Sequence, residues 1–372
     1  MKIGLPCILL AVSAPILWSV ITSHDDVFDT QNLLQVDASD LKTTRVSPHL
    51  ETPIKEDANV IWCGTFQLAW NEVCTLVGED IHFAEKEPET VAALNKKSFR
   101  KGDLDEASYV ALADFVGNGV HGRIQRELHN KFHGQASPTL VPSPAGASRP
   151  QDIVAYSYLF KNLEFVVPFE RIARPLEFGK SRVRCFGIDD VYRPGQTAML
   201  AQVLIIDYKG SDDFVIELGT KFNGDRVVLA KTRPGKTLQE TIAGVQDRMA
   251  RVKPVAASTG DVLTIPKLNF DVSSNFRELL GKKLAIMNHS VAKDLQILAA
   301  VQNTRFQMDE KGVKLRSESK IVIGCAAESP PPQRFMIFDK PFLIMLQRPE
   351  AKMPYLALWI GNAELLQRMD GI

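Results

Sequence analysis

Phe338-Asp339-Lys340-Pro341-Phe342-Leu343-Ile344-Met345-Leu346, followed by Leu356-Ala357-Leu358-Trp359-Ile360-Gly361-Asn362, lies near the C-terminal end of the sequence. Both runs are short, apolar and rich in aromatic and branched residues, and residues 335–359 read as strand. Working upstream, residues 153–160, 198–208, 214–220, 226–232, 262–270 and 295–308 carry the same signal. Asn223-Gly224 between two of them is a hairpin turn pair. Helices are fewer. Residues 60–77 have helical apolar spacing, 85–101 have helical propensity, and 123–132, 237–249 and 275–280 complete the set. Few helices packed on long sheets give an α+β class.

The chain has 372 residues, with 44 basic and 44 acidic side chains. That balance gives no global argument for nucleic acid or an acidic polymer as partner. Met1-Lys2, an uncharged apolar run over 3–22 and His24-Asp25-Asp26 read as a secretory signal peptide over 1–23. An uncleaved signal anchor is the second reading, since the run is nearly long enough to span a bilayer. A secreted, extracellular or periplasmic protein is expected, with no membrane contact after cleavage. Residues 24–58 read as a polar linker or arm, and 59–372 as the folded domain. Of five cysteines, Cys7 lies in the signal. Cys63 and Cys74 are expected on one helix, three turns apart and too distant to bridge.

Three segments carry a family resemblance. Ile265-Pro266-Lys267-Leu268 with Phe276 and Leu279-Leu280 is similar to a strand and short helix of the serpins. Phe306-Gln307-Met308-Asp309-Glu310-Lys311-Gly312 resembles the end of their central strand, where it runs into the reactive loop. The opening stretch resembles their C-terminal hairpin. Weaker likeness extends the match over residues 60–370. The resemblance implies a serpin-like fold with large mixed and antiparallel sheets and packed helices. It also implies a secreted inhibitor of serine-type endopeptidases, with a reactive loop near 310–330. There are departures. The Pro-rich residues 135–150 stand where serpins carry a helix across the main sheet, so some family helices are expected to be missing. Cys63-Gly64-Thr65-Phe66 replaces a Ser-Pro motif, Gln302 a histidine and Ala155 an asparagine, all at the family's sheet-opening shutter.

By that resemblance the hinge is Glu310, Lys311, Gly312, Val313 and Leu315. The bait bond falls in the window Cys325, Ala326, Ala327 and Glu328. Small residues there suit an elastase-like serine protease as partner. Inhibitory serpins show a run of small residues after the hinge. Here Val313, Leu315, Ser317, Ser319, Ile321 and Ile323 alternate with Lys314, Arg316, Glu318 and Lys320, the pattern of a half-buried strand. Two readings follow. The strand inserts after cleavage, as in an inhibitor, or it sits in the sheet from the outset, in a non-inhibitory binding or structural protein. The second is preferred, because a loop already stable as strand stores no energy for distorting a protease.

Other signals are weaker. Gly117-Asn118-Gly119-Val120-His121-Gly122 fits a dinucleotide fingerprint but lacks the downstream acid, so a turn between sheet elements is expected. His121, His129 and His133 lie near one helix, without an oriented third ligand. No catalytic constellation, metal site or cofactor is expected. Asn288-His289-Ser290 is a glycosylation sequon.

Overall fold

The computed structural model describes residues 32–55, 57–133, 149–189, 195–221, 224–288, 295–313 and 333–369. The chain begins with strands β1 (Leu34–Asp37), β2 (Thr44–Ser47) and β3 (Asn59–Cys63), then helices α1 (Thr65–Val77) and α2 (Glu89–Asn95). Strand β4 (Tyr109–Phe115), helix α3 (Val120–Phe132), β5 (Ile153–Leu159) and β6 (Leu163–Glu164) follow. Next come β7 (Glu170–Phe178), β8 (Ser181–Ile188), α4 (Gln196–Ala201), β9 (Val203–Gly210), β10 (Asp213–Leu218), β11 (Arg226–Lys231) and α5 (Leu238–Arg251). The last third is all strand and short turns. It holds β12 (Val255–Ala256), β13 (Val262–Pro266), β14 (Leu268–Asn275), β15 (Val301–Asp309) and β16 (Gly312–Val313). It ends in β17 (Phe335–Ile337), β18 (Phe342–Gln347) and β19 (Leu356–Ile360). The fold is α+β, as expected.

Four sheets organise these strands. An eight-stranded sheet runs β12-β9-β10-β11-β18-β19-β3-β2 and holds the stretch quoted first. Every residue of β18 and of β19 is buried. This is why neither shows the alternation of a half-exposed strand. A five-stranded sheet runs β1-β14-β15-β16-β6, a four-stranded sheet runs β17-β13-β8-β7, and β4 pairs with β5 alone. One hydrophobic core joins the three larger sheets, with Trp62, Phe165, Phe270, Phe338 and Trp359 among its largest fully buried side chains.

The helices follow their sequence cues. Thr237 caps α5, its hydroxyl accepting from Glu240 N, while the Glu240 carboxylate accepts from Lys236 N. Gly78 closes α1 in the left-handed region, donating to Cys74 O. Helix α3 buries Val120, Ile124, Leu128 and Phe132 at four-residue spacing. These pack with Val110, Leu112, Val154 and Tyr156 of β4 and β5. The face of β4–β5 is therefore covered by α3. The Pro-rich stretch lies almost wholly outside the described residues.

Several expectations change. The apolar run 60–77 is not one helix. It starts as strand β3 and turns at Gly64, where an added Cβ would lie 2.2 Å from the Phe99 ring. Cys63 therefore ends a strand while Cys74 sits in α1, and both are buried free thiols, as is Cys185. The polar arm is not a plain linker. Within it β1 pairs in parallel with β14, and β2 with β3. Residues 198–201 belong to α4, and the single strand expected over 262–270 is two strands divided at Lys267. The turn 116–119 links β4 to α3, rather than two sheet elements as expected, with Gly119 left-handed (φ 74°).

Candidate functional site

The site is the hairpin where β15 turns into β16. Met308 faces Val313 and Asp309 faces Gly312, so the turn is made by Glu310 and Lys311 alone. On its other side β16 pairs with β6, Gly312 opposite Glu164 and Val313 opposite Leu163. Gly312 has a φ of 154°, and a Cβ there would lie 2.6 Å from Leu163 O and 2.7 Å from Glu164 Cα. Only glycine lets β6 come this close. Val313 is buried in the main core. The turn is pinned from outside: Phe169 N donates to Glu310 O (2.8 Å), and Phe165 N to Lys311 O (3.0 Å). From inside, Lys311 N donates to Asp309 Oδ1 (2.8 Å) and Gln307 Nε2 to Asp309 Oδ2 (2.7 Å).

Glu310 is the electrostatic centre. It is only 5% exposed, and its carboxylate accepts from Lys267 Nζ and Arg171 Nε. Burial by itself pushes its pKa up. The hydrogen bonds from Lys267, its own backbone and Arg171, with the Lys267 charge, outweigh burial and hold the carboxyl below its ordinary range. Lys267 links β13 to β14, and Arg171 belongs to β7. One side chain thus joins the five-stranded sheet to the four-stranded one.

Below the hinge, Gln302 of β15 is buried. Its Nε2 donates to Cys63 O (3.0 Å) and Thr65 Oγ1 (2.8 Å), tying β15 to the start of α1. The glutamine thus bonds to the segment that replaces the Ser-Pro motif. Two buried oxygens of β15, Gln302 Oε1 and Thr304 Oγ1, and one of β5, Ser157 Oγ, are left over. They have no hydrogen-bond partner among the described residues. Ala155 faces Ala113 across β4–β5 and adds no polar group.

Of the hinge residues expected from sequence, Glu310, Lys311, Gly312 and Val313 are brought together in this hairpin. Leu315 and the bond window Cys325 to Glu328 lie outside the described residues, as does the signal segment 1–23. Sequence reasoning missed Arg171 and the buried Lys161–Asp225 pair (2.7 Å) near Tyr355. Burial raises the Asp225 pKa more than the Lys161 charge and hydrogen bond lower it. No cluster of three or more metal-ligating side chains occurs among the described residues. No helix among them is long and apolar enough to cross a membrane. Asn288 Nδ2 donates to Val77 O (2.6 Å), so the atom of the sequon that would carry a glycan is already engaged.

No protein-family model matches the chain, and no curated protein matches it. Solved serpin structures are similar to it over most of its length. Serpin48 of the insect Tenebrio molitor is 13% identical, with a TM-score of 0.42 over 83% of this chain and 92% of that one. Thyroxine-binding globulin in complex with thyroxine is 10% identical, with a TM-score of 0.44 over 82% and 93%. A serpin from Schistosoma mansoni is 11% identical, with a TM-score of 0.40 over 66% and 64%.

Proposed function

We propose that the chain is a secreted serpin-like protein of the binding rather than the protease-trapping kind, its loop strand held in the main sheet without cleavage. The observation that carries this reading is β16. The chain leaves the hinge already paired on both sides, with β15 and with β6. Continued in that register, Leu315 faces Phe306, Ser317 faces Thr304 and Ser319 faces Gln302. The two serines then lie opposite the orphaned oxygens of Thr304 and Gln302, to which their hydroxyls can donate. Lys314, Arg316, Glu318 and Lys320 fall on the opposite face. Each apolar side chain buried this way contributes about 1.5–3 kcal/mol.

Chain length allows it. The eight residue steps from Val313 to Ile321 run about 27 Å along the sheet. The residues from there back to Arg334 reach about 40 Å when extended. The loop can therefore enter the sheet and return uncut. Arg334 is the fixed far end, its backbone N and guanidinium both bonded to the buried Asp261. Such a strand leaves no insertion energy to spend on a trapped acyl-enzyme.

The alternative is the inhibitor that the family resemblance implies, with an elastase-like serine protease as target. Incubation of the mature protein with elastase separates the two, read by denaturing gel, mass spectrometry and thermal melting. Resistance over 314–323, or a cut beyond it with no gain in melting temperature, is expected. A covalent high-mass complex, or a sharp rise in melting temperature after a cut between Gly324 and Ser329, would overturn the proposal.

A further inference from the structure

The outer face of the four-stranded sheet carries a trough of about 430 Å³ that runs across its strands from β7 to β17. An irregularity in β7 shapes it. Ile172 faces Cys185 and Leu176 faces Val183, so Ala173, Arg174 and Pro175 together lie opposite Arg184 alone. Such a bulge lifts the strand and re-aims its side chains. The Cys185 thiol donates to Arg174 O (3.3 Å) and fixes the lifted backbone. The floor is apolar: Ile172, Leu176, Val262 and Ile337, with Phe335 at the mouth, 42% exposed.

The charges at the rim are not equivalent. Arg182 and Glu177 offset each other at 3.5 Å. Asp189 has a further interaction, and its backbone carbonyl accepts from Gln196 Nε2 (2.9 Å). Among the described residues, Arg174 has no ion-pair partner, and it lines the trough beside the apolar floor. The volume lies in the range of small-molecule sites, and the lining sets apolar side chains beside charged ones.

We propose that this trough binds a long-chain carboxylate, its alkyl chain on Ile172, Leu176, Val262 and Ile337 and its head group at Arg174. A planar guanidinium suits bidentate recognition of a carboxylate. The site does not depend on where residues 314–323 lie, so it stands or falls apart from the reading of the loop.

The test is calorimetric titration of the full-length mature protein with dodecanoate below its micelle concentration, beside dodecyltrimethylammonium of equal chain length. One saturable dodecanoate site per chain is expected. Arg174→Glu should weaken it at least about tenfold, the effect of losing one charge-assisted contact. Phe335→Ser should weaken it by a smaller factor, and the ammonium should not compete. Both side chains are exposed, so thermal melts of the two variants should match the wild type and exclude misfolding. No saturable site, equal binding of the cation, or an affinity unchanged by both substitutions would overturn the assignment.

Discussion

Glu310→Gln keeps the size of the side chain and removes its charge. In the structure that charge is shared between two cations of different standing. Lys267 is largely buried, at 13% side-chain exposure, while Arg171 is 73% exposed. On substitution Arg171 returns to water at little cost. Lys267 cannot, and is left as a buried charge without its counter-ion. Breaking a buried pair from one side costs about 3–5 kcal/mol. The retained amide oxygen still accepts one bond, so the expected loss is at the lower end, about 3 kcal/mol. The pH dependence gives a second check. The folded-state pKa of Glu310 is depressed, so its stabilisation is fully present above the unfolded-state value and is lost as pH falls through the folded one. Urea unfolding of wild type and variant should therefore differ by a constant amount above about pH 5 and converge below it. A difference under about 0.5 kcal/mol at neutral pH, or one that does not shrink on acidification, would refute the role given to this carboxylate.

Three further outcomes follow from single side chains. Lys231 is 3% exposed, and its Nζ donates to Ser211 O (2.8 Å), Ile337 O (2.9 Å) and Asp339 Oδ1 (2.5 Å), tying β11 to β17. Lys231→Met should destabilise by about 3 kcal/mol in urea unfolding, with a raised exchange rate at the β17 amides. Gly312→Ala places a methyl group against the backbone of β6 and should cost about 1–3 kcal/mol in the same assay, where an exposed Gly179→Ala control should cost less. Asn288→Ala removes the bond to Val77 O at the end of α1 and should cost about 1 kcal/mol in the same assay.

The C-terminal hairpin was legible because β18 and β19 are buried throughout and need no pattern beyond an apolar run. The same property made 60–77 misleading: a continuous apolar run does not by itself distinguish strand from helix, and only Gly64 marks the change. The β7–β8 hairpin was hidden by its exposed arginines, by Pro175 and by the bulge, which breaks the two-residue period. The short β1 and β2 lie in polar sequence and are strands because β14 and β3 offer them partners. At the site, the hinge residues could be named from a local motif. Their anchor could not, since Arg171 is 139 residues from Glu310 and nothing local links them. The bonds of Gln302 to Cys63 O and Thr65 Oγ1 were equally invisible, because they span 239 and 237 residues and exist only once β15 meets the start of α1.

Hydrogen exchange of residues 314–321 in the uncleaved, full-length protein reports on the loop strand itself. If the loop strand continues β16 within the sheet, those amides exchange as slowly as the neighbouring amides of β15. Exchange at the rate of an unstructured peptide, with protection appearing only after protease cleavage, would contradict the account and return the chain to the inhibitors.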